Sequence, residues 1–189
     1  MTLDELIARA VKKAAQDIRV AMPAKIISYD ANTRLARVQV LLADRTEDGL
    51  TIEQPVVTDV PVFMPIGGGS AITMPIKPGD TGTVTFADQD IGGWATDNDT
   101  SPPDTDRRHA LSDAMFTPSQ GTGPADPDNF KVSFAGASIV ISPSGGMEIT
   151  APGGVNITSP TLTHNGTNVG DDHVHGGVMS GGSNTAGPQ

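Results

Sequence analysis

Apolar and polar positions divide the chain into three regimes. In the first, Leu3, Leu6, Ile7, Ala10, Val11, Ala14 and Ile18 recur at helical spacing and form one stripe. Thr2 and Glu5 make a capping-box pattern, and Asp4 adds negative charge to the first turn. The spacing predicts a helix from Thr2 to about Arg19. Its stripe would pack on its own domain, or dock a partner or a sister chain.

The second regime, from Pro23 to about Phe116, alternates as strands do. Residues 24–29 and 35–40 flank the turn-rich Asp30-Ala31-Asn32-Thr33, which suits a hairpin. Val56 to Phe63 follows, with Pro61 pointing to an edge or a bulge. Ala71 to Met74 and Thr81 to Phe86 flank the turn Pro78-Gly79-Asp80. Five short strands suit a small barrel such as an OB-fold. Gly67-Gly68-Gly69 lacks the lysine and spacing of a phosphate loop and reads as a hairpin connection. Asp97 to Phe116 is loop-rich, with a polar cluster possible among Asp104, Asp106, Arg107, Arg108, His109 and Asp113. His109 there reads as a structural loop histidine rather than a catalytic one. From Ser119 the chain is rich in Gly, Pro and Asp without periodicity, which marks a linker.

The third regime is a repeat. Gly145-Gly146-Met147-Glu148-Ile149-Thr150-Ala151-Pro152 is followed directly by Gly153-Gly154-Val155-Asn156-Ile157-Thr158-Ser159-Pro160. The period of eight extends back one unit, with Ile139, Met147 and Val155 in phase, and Ile141, Ile149 and Ile157 likewise. Each unit reads as a strand with one apolar face, ended by a Pro or Gly turn. A few such strands cannot complete a core alone, so the economical arrangement intertwines copies of the chain about a common axis.

Composition narrows the function. The 189 residues carry 22 Asp and Glu against 12 Lys and Arg, a net charge of -10. That balance, with few aromatics, argues against a nucleic-acid partner. Every Lys and Arg lies at or before Lys131, so the last 58 residues have none. With no cysteine, disulfides and thiolate metal sites are excluded. There is no apolar run of membrane-span length and no signal-peptide pattern.

Candidate chemistry sits in Asp171-Asp172-His173-Val174-His175-Gly176-Gly177. In extended chain His173 and His175 point the same way, as one part of a metal site. Two nitrogens do not complete a coordination sphere. Three chains on one axis would bring six imidazoles, which selects octahedral iron, one per trimer, over tetrahedral zinc. Asp171 and Asp172 would then steady the rings or simply be solvated. Alternatively a single-chain metal-dependent enzyme could recruit His164 or His109, or a β-helix could bind host-surface glycans. A cupin-type site lacks its downstream Glu and His, and no nucleophile–base pair is evident.

The chain resembles the central spike proteins of contractile-tail bacteriophage baseplates, the Mu-like family of membrane-piercing spikes. In the barrel the resemblance rests on residues 27–30, 59–62, 67–69 and 75–80, and on Arg107-Arg108-His109-Ala110-Leu111-Ser112-Asp113. At the tip it rests on Thr163-His164-Asn165-Gly166 and on residues 172–178. It implies an all-β homotrimer with no catalytic activity: an N-terminal helix and OB-fold barrel, then a short intertwined triple-stranded β-helix with a pointed apex. It implies iron held at the apex by His173 and His175 of all three chains. It also implies a place in the virion at the tip of the tail baseplate, after synthesis in the host cytoplasm. There the spike would cap the tail tube, contact hub and tube proteins, and pierce the host outer membrane when the tail contracts. The expected division is helix 1–19, barrel 20–118, linker 119–130, β-helix 131–170 and apex 171–189. The β-helix is short for the family, and no extra C-terminal domain is expected. No residues matching the calcium or chloride sites of some relatives are evident.

Overall fold

The computed structural model describes residues 2–16, 18–46, 48–97, 99–120, 125–170, 173, 176–177 and 181. The chain separates into two compact units, residues 1–123 and 124–189. The protein is mostly β, with one N-terminal helix and a curled, partly closed barrel.

The helix α1 spans Leu3–Gln16. Its capping box is formed in both directions: the Glu5 amide donates to Thr2 Oγ1 at 3.3 Å, and the Thr2 amide donates to Glu5 Oε2 at 2.7 Å. It stops short of the expected Arg19 because the sheet claims the following backbone: the Val20 carbonyl accepts from the Phe86 amide at 3.0 Å.

Five strands make the barrel sheet: β1 (Ala21–Asp30), β2 (Leu35–Val40), β3 (Val56–Pro61), β4 (Thr81–Phe86) and β5 (Ala114–Gln120). Their order is β3-β2-β1-β4-β5, antiparallel throughout. The long β1 serves both sides. Its first half pairs with β4, its second half pairs with β2, and a bulge between Ile26 and Ser28 bends it. A second bulge lies between Ala36 and Val38 against β3. Bulges of this kind raise the local twist and curl a sheet. The curl brings the two outer strands together, where Val62 bridges Phe116 in parallel and the Phe63 amide donates to the Phe116 carbonyl at 2.8 Å.

The fifth strand is not where the alternation placed it. Ala71 to Met74 forms no ladder beyond a two-residue pairing of Ser70–Ala71 with Ile66–Gly67. That small ribbon turns on Gly68 and Gly69, both at positive φ, as a tight hairpin requires. The true fifth strand lies in residues expected to be loop, and it runs through Ser119 and Gln120, which were expected to be linker. Pro118 hides it in the sequence. The structure accommodates Pro118 beside a register shift between Thr81 and Gly82.

Alternate residues of these strands point inward and make the core. Ala24, Ile26, Ala36, Val38, Val57, Val60, Val84, Ala114 and Phe116 are among its buried side chains. Most are small, as a narrow barrel interior demands. Phe116 is the largest of the fully buried side chains and occupies the space over Gly82. A Cβ at Gly82 would run into the Thr117 carbonyl oxygen and the Phe116 ring.

The second unit begins with the Asp126 carboxylate, which accepts from the amides of Asp128 and Asn129 at 3.1 and 3.0 Å. These bonds hold its pKa below the usual carboxylate range. Three strands follow as an antiparallel meander: β6 (Phe130–Phe134), β7 (Ala137–Ile141) and β8 (Met147–Thr150). Phe130 pairs with Ile141 and Ile141 with Met147; Val132 pairs with Ile139 and Ile139 with Ile149. Directly paired residues share a face, so Phe130, Val132, Phe134, Ala137, Ile139, Ile141, Met147 and Ile149 all lie on one side. Lys131, Ser133, Ser138, Val140, Glu148 and Thr150 lie on the other. The first two repeat units are therefore strands, but Val155–Ile157 of the third carries no ladder within the chain.

None of the described residues of this unit is buried. Phe130 is 66% exposed and Ile149 58%. The barrel holds a core of its own, whereas this sheet presents a complete apolar face with nothing on it.

Gly82→Ala is expected to destabilise the barrel by about 1–3 kcal/mol, because the added methyl meets backbone that cannot swing away. Chemical denaturation followed by Trp94 fluorescence measures the shift. An unchanged midpoint would contradict the packing of Phe116 against this glycine.

Candidate metal centre

The segment that leads to His173 is assembled locally. Thr163–His164 pairs with Thr167–Asn168 across Asn165 and Gly166, both at positive φ. An Asn-Gly turn of this kind matches the twist of a hairpin. The Val169 amide donates to the Leu162 carbonyl at 2.8 Å, which adds one rung, and the Gly170 amide donates to Asn168 Oδ1 at 2.9 Å. The ribbon thus fixes the Gly170 carbonyl, and His173 uses it twice. Its amide donates there at 3.3 Å, and its ring Nδ1 lies 2.5 Å from the same oxygen.

That ring contact decides the tautomer. With the proton on Nδ1 donated to Gly170, the lone pair sits on Nε2, the form in which an imidazole ligates a metal. His175, Asp171 and Asp172 lie outside the described residues. His164 stands exposed on the ribbon. Among the described residues no three His, Asp or Glu side chains of one chain gather into a metal-sized group.

His109 belongs to the barrel unit. Its Nε2 lies 3.4 Å from Asp88 Oδ1, its Nδ1 is buried without a hydrogen-bond partner, and its backbone has φ 47°. The neighbouring polar cluster does form, with the expected Asp113 but with Asp90 in place of Asp104 and Asp106. Arg107 donates through Nε to Asp113 Oδ2 at 2.7 Å and through an amino nitrogen to Asp113 Oδ1 at 2.9 Å. The same amino nitrogen also reaches Asp90. Asp90 accepts further from the Gly92 amide at 2.9 Å and from Thr105 Oγ1 at 2.8 Å, and Asp113 accepts from the Ile91 amide at 3.2 Å. Asp104 and Asp106 are not part of this network. Asp90 lies far from Arg107 in sequence and carries no motif, so only the fold could reveal it.

This arrangement is a clamp. It ties the long excursion between β4 and β5 to the root of β5, and the donors saturate both carboxylates. The Gly92 amide, then the Thr105 hydroxyl and the Arg107 charge, hold the Asp90 carboxyl below its usual range against the opposing effect of burial. The Arg107 guanidinium is raised correspondingly, chiefly by Asp113. Beside the excursion, Phe63 meets Trp94 edge to face at 6.4 Å, with Met64 and Ile66 lining the same groove of about 610 Å³.

The mostly β architecture and the curled barrel coincide with a known family. Residues 22–119, about half of the chain, match the family described as phage protein Gp138 N-terminal domain, and the chain belongs to that family. The match covers the barrel from β1 to β5. Comparison with curated proteins gave no match. Among the described residues no helix is long and apolar enough to cross a membrane.

Because the folded pKa of Asp90 is depressed, its contribution to stability is present above the unfolded value of about 3.9 and is lost as pH falls through the folded value. Asp90→Asn should therefore be less stable than the parent at neutral pH, and the gap should narrow below about pH 4. Denaturant unfolding at a series of pH values measures this. A gap of constant size down to strongly acid pH would rule out ionised Asp90 as its source.

Proposed function

We propose that this phage protein is the trimeric central spike of a contractile tail baseplate, with an OB-fold barrel as collar and an iron-clasped tip. The observation that carries the reading is the meander β6–β8, whose whole apolar face is uncovered. A contiguous exposed face of this kind marks an interaction surface, and the octad repeat makes further copies of the chain its natural complement. Three copies wound about one axis would bury Phe130, Val132, Ile139, Ile141, Met147 and Ile149 against their counterparts. The same strands would form the triple-stranded β-helix.

Membership of a phage structural family supports association with other tail components and a place in the virion. The hub and tail tube are the partners this reading assigns. The host outer membrane is met only transiently, as the contracting tail drives the spike through it. The reading needs no catalysis. An axial device must resist fraying at its chain ends, where folded structure is weakest. His173 and His175 of each chain would hold the iron, and the Nδ1 contact of His173 with Gly170 favours the ligating tautomer. Metal bound by three chains couples their ends, since binding free energy adds to that of the folded assembly. A segment without Lys or Arg would also pass anionic lipopolysaccharide without adhering to it.

The purified protein should have the light-scattering mass of three chains and contain one iron per three chains by elemental analysis. One metal per monomer would instead favour the metal-dependent enzyme reading. His173→Ala combined with His175→Ala should remove the iron while the mass stays at three chains. Retained iron would overturn the ligand assignment.

A further inference from the structure

The helix α1 carries another exposed apolar surface. Leu3, Leu6, Ile7 and Val11 are all exposed although they share one side of the helix. With 14 residues, α1 is at the length where an isolated helix is marginal in water, so its stripe needs a covering surface.

The stripe has the pattern of a helix that packs on itself. Leu3, Ile7, Ala10 and Ala14 follow steps of four, three and four, the seam of a coiled coil. Leu6 and Val11 occupy two of the flanking positions, and in a parallel bundle those positions face each other across neighbouring helices. The other two flanking positions are Asp4 and Lys13, of opposite charge, and Glu5, Arg9 and Lys12 fall on the outer side. Ala10 and Ala14 allow close approach of the backbones. The next seam position is Asp17, so the apolar seam extends no further than the helix itself.

Only residues 17–20 separate α1 from β1, a span of at most about 14 Å. Each helix is therefore delivered with its barrel, and chains already joined elsewhere would hold their helices at high effective concentration. We propose that α1 packs against α1 of the sister chains as a parallel three-helix bundle. This is a second self-association contact, independent of the sheet face in the other unit. The inference rests on the trimer reading above.

Because the chain has no cysteine, single thiols can be placed at will. Ala10→Cys and Ala14→Cys face the seam, and Lys12→Cys faces away. Each full-length variant is weighed by light scattering, treated with a short bis-maleimide, and run on a denaturing gel. The expected result is a three-chain mass for all, with several-fold more covalently linked chains from the two alanine positions than from Lys12→Cys. Three-chain mass without linking at either alanine position would overturn the inference, and would direct attention to the groove beside Trp94. Equal linking from all three positions would overturn it as random collision. A monomeric mass for the unsubstituted protein and every variant would remove the trimer reading and this inference together.

Discussion

None of the described residues of the second unit is buried, and that constraint decides how the sheet of β6, β7 and β8 can be stable. Eight apolar side chains lie on the same side of this three-stranded sheet, and among the described residues no helix or loop of the unit buries them. Water tolerates scattered apolar residues on a surface, but a contiguous face made of complete strands is a binding surface. The strands have satisfied their ladder bonds within the chain, yet they gain almost no burial.

The barrel obeys the opposite logic. Two bulges and a bridge between its outer strands curl five strands around a closed set of small apolar residues, so its core is complete in one chain. The Arg107 clamp secures the one long excursion that would otherwise fray, by saturating Asp90 and Asp113 with donors. The two units therefore differ in kind. The barrel has a buried core of its own, while none of the described residues of the second unit is buried.

The ribbon of residues 163–168 shows how few contacts orient a histidine ring. One Asn-Gly turn, one extra rung and one side-chain bond from Asn168 position the Gly170 carbonyl, and that carbonyl orients the His173 ring. The preparation is local, so it survives in a single chain even though completing a coordination sphere would need more ligands than one His173 supplies.

Much of this was readable from the sequence because it depends on neighbours in the chain. The capping box of α1, the alternation in β1, β2 and β4, the positive-φ turns at glycine and the phase of Ile139 with Met147 are all short-range patterns, and all four appear in the structure. The sequence by itself also determined the uncovered face, since alternation in paired strands leaves the side chains no choice. What only the tertiary structure decided are the matters in which distant segments compete. Ala114–Gln120 rather than Ala71–Met74 completes the barrel, because Phe116 fits over Gly82 and can reach Val62, a fact that no local propensity encodes. Asp90 rather than Asp104 or Asp106 pairs with Arg107, because the folding of the excursion sets which carboxylate arrives there. Short-range order follows from local sterics and hydrogen bonding, whereas these choices follow from packing and charge between residues that only the closed barrel makes neighbours.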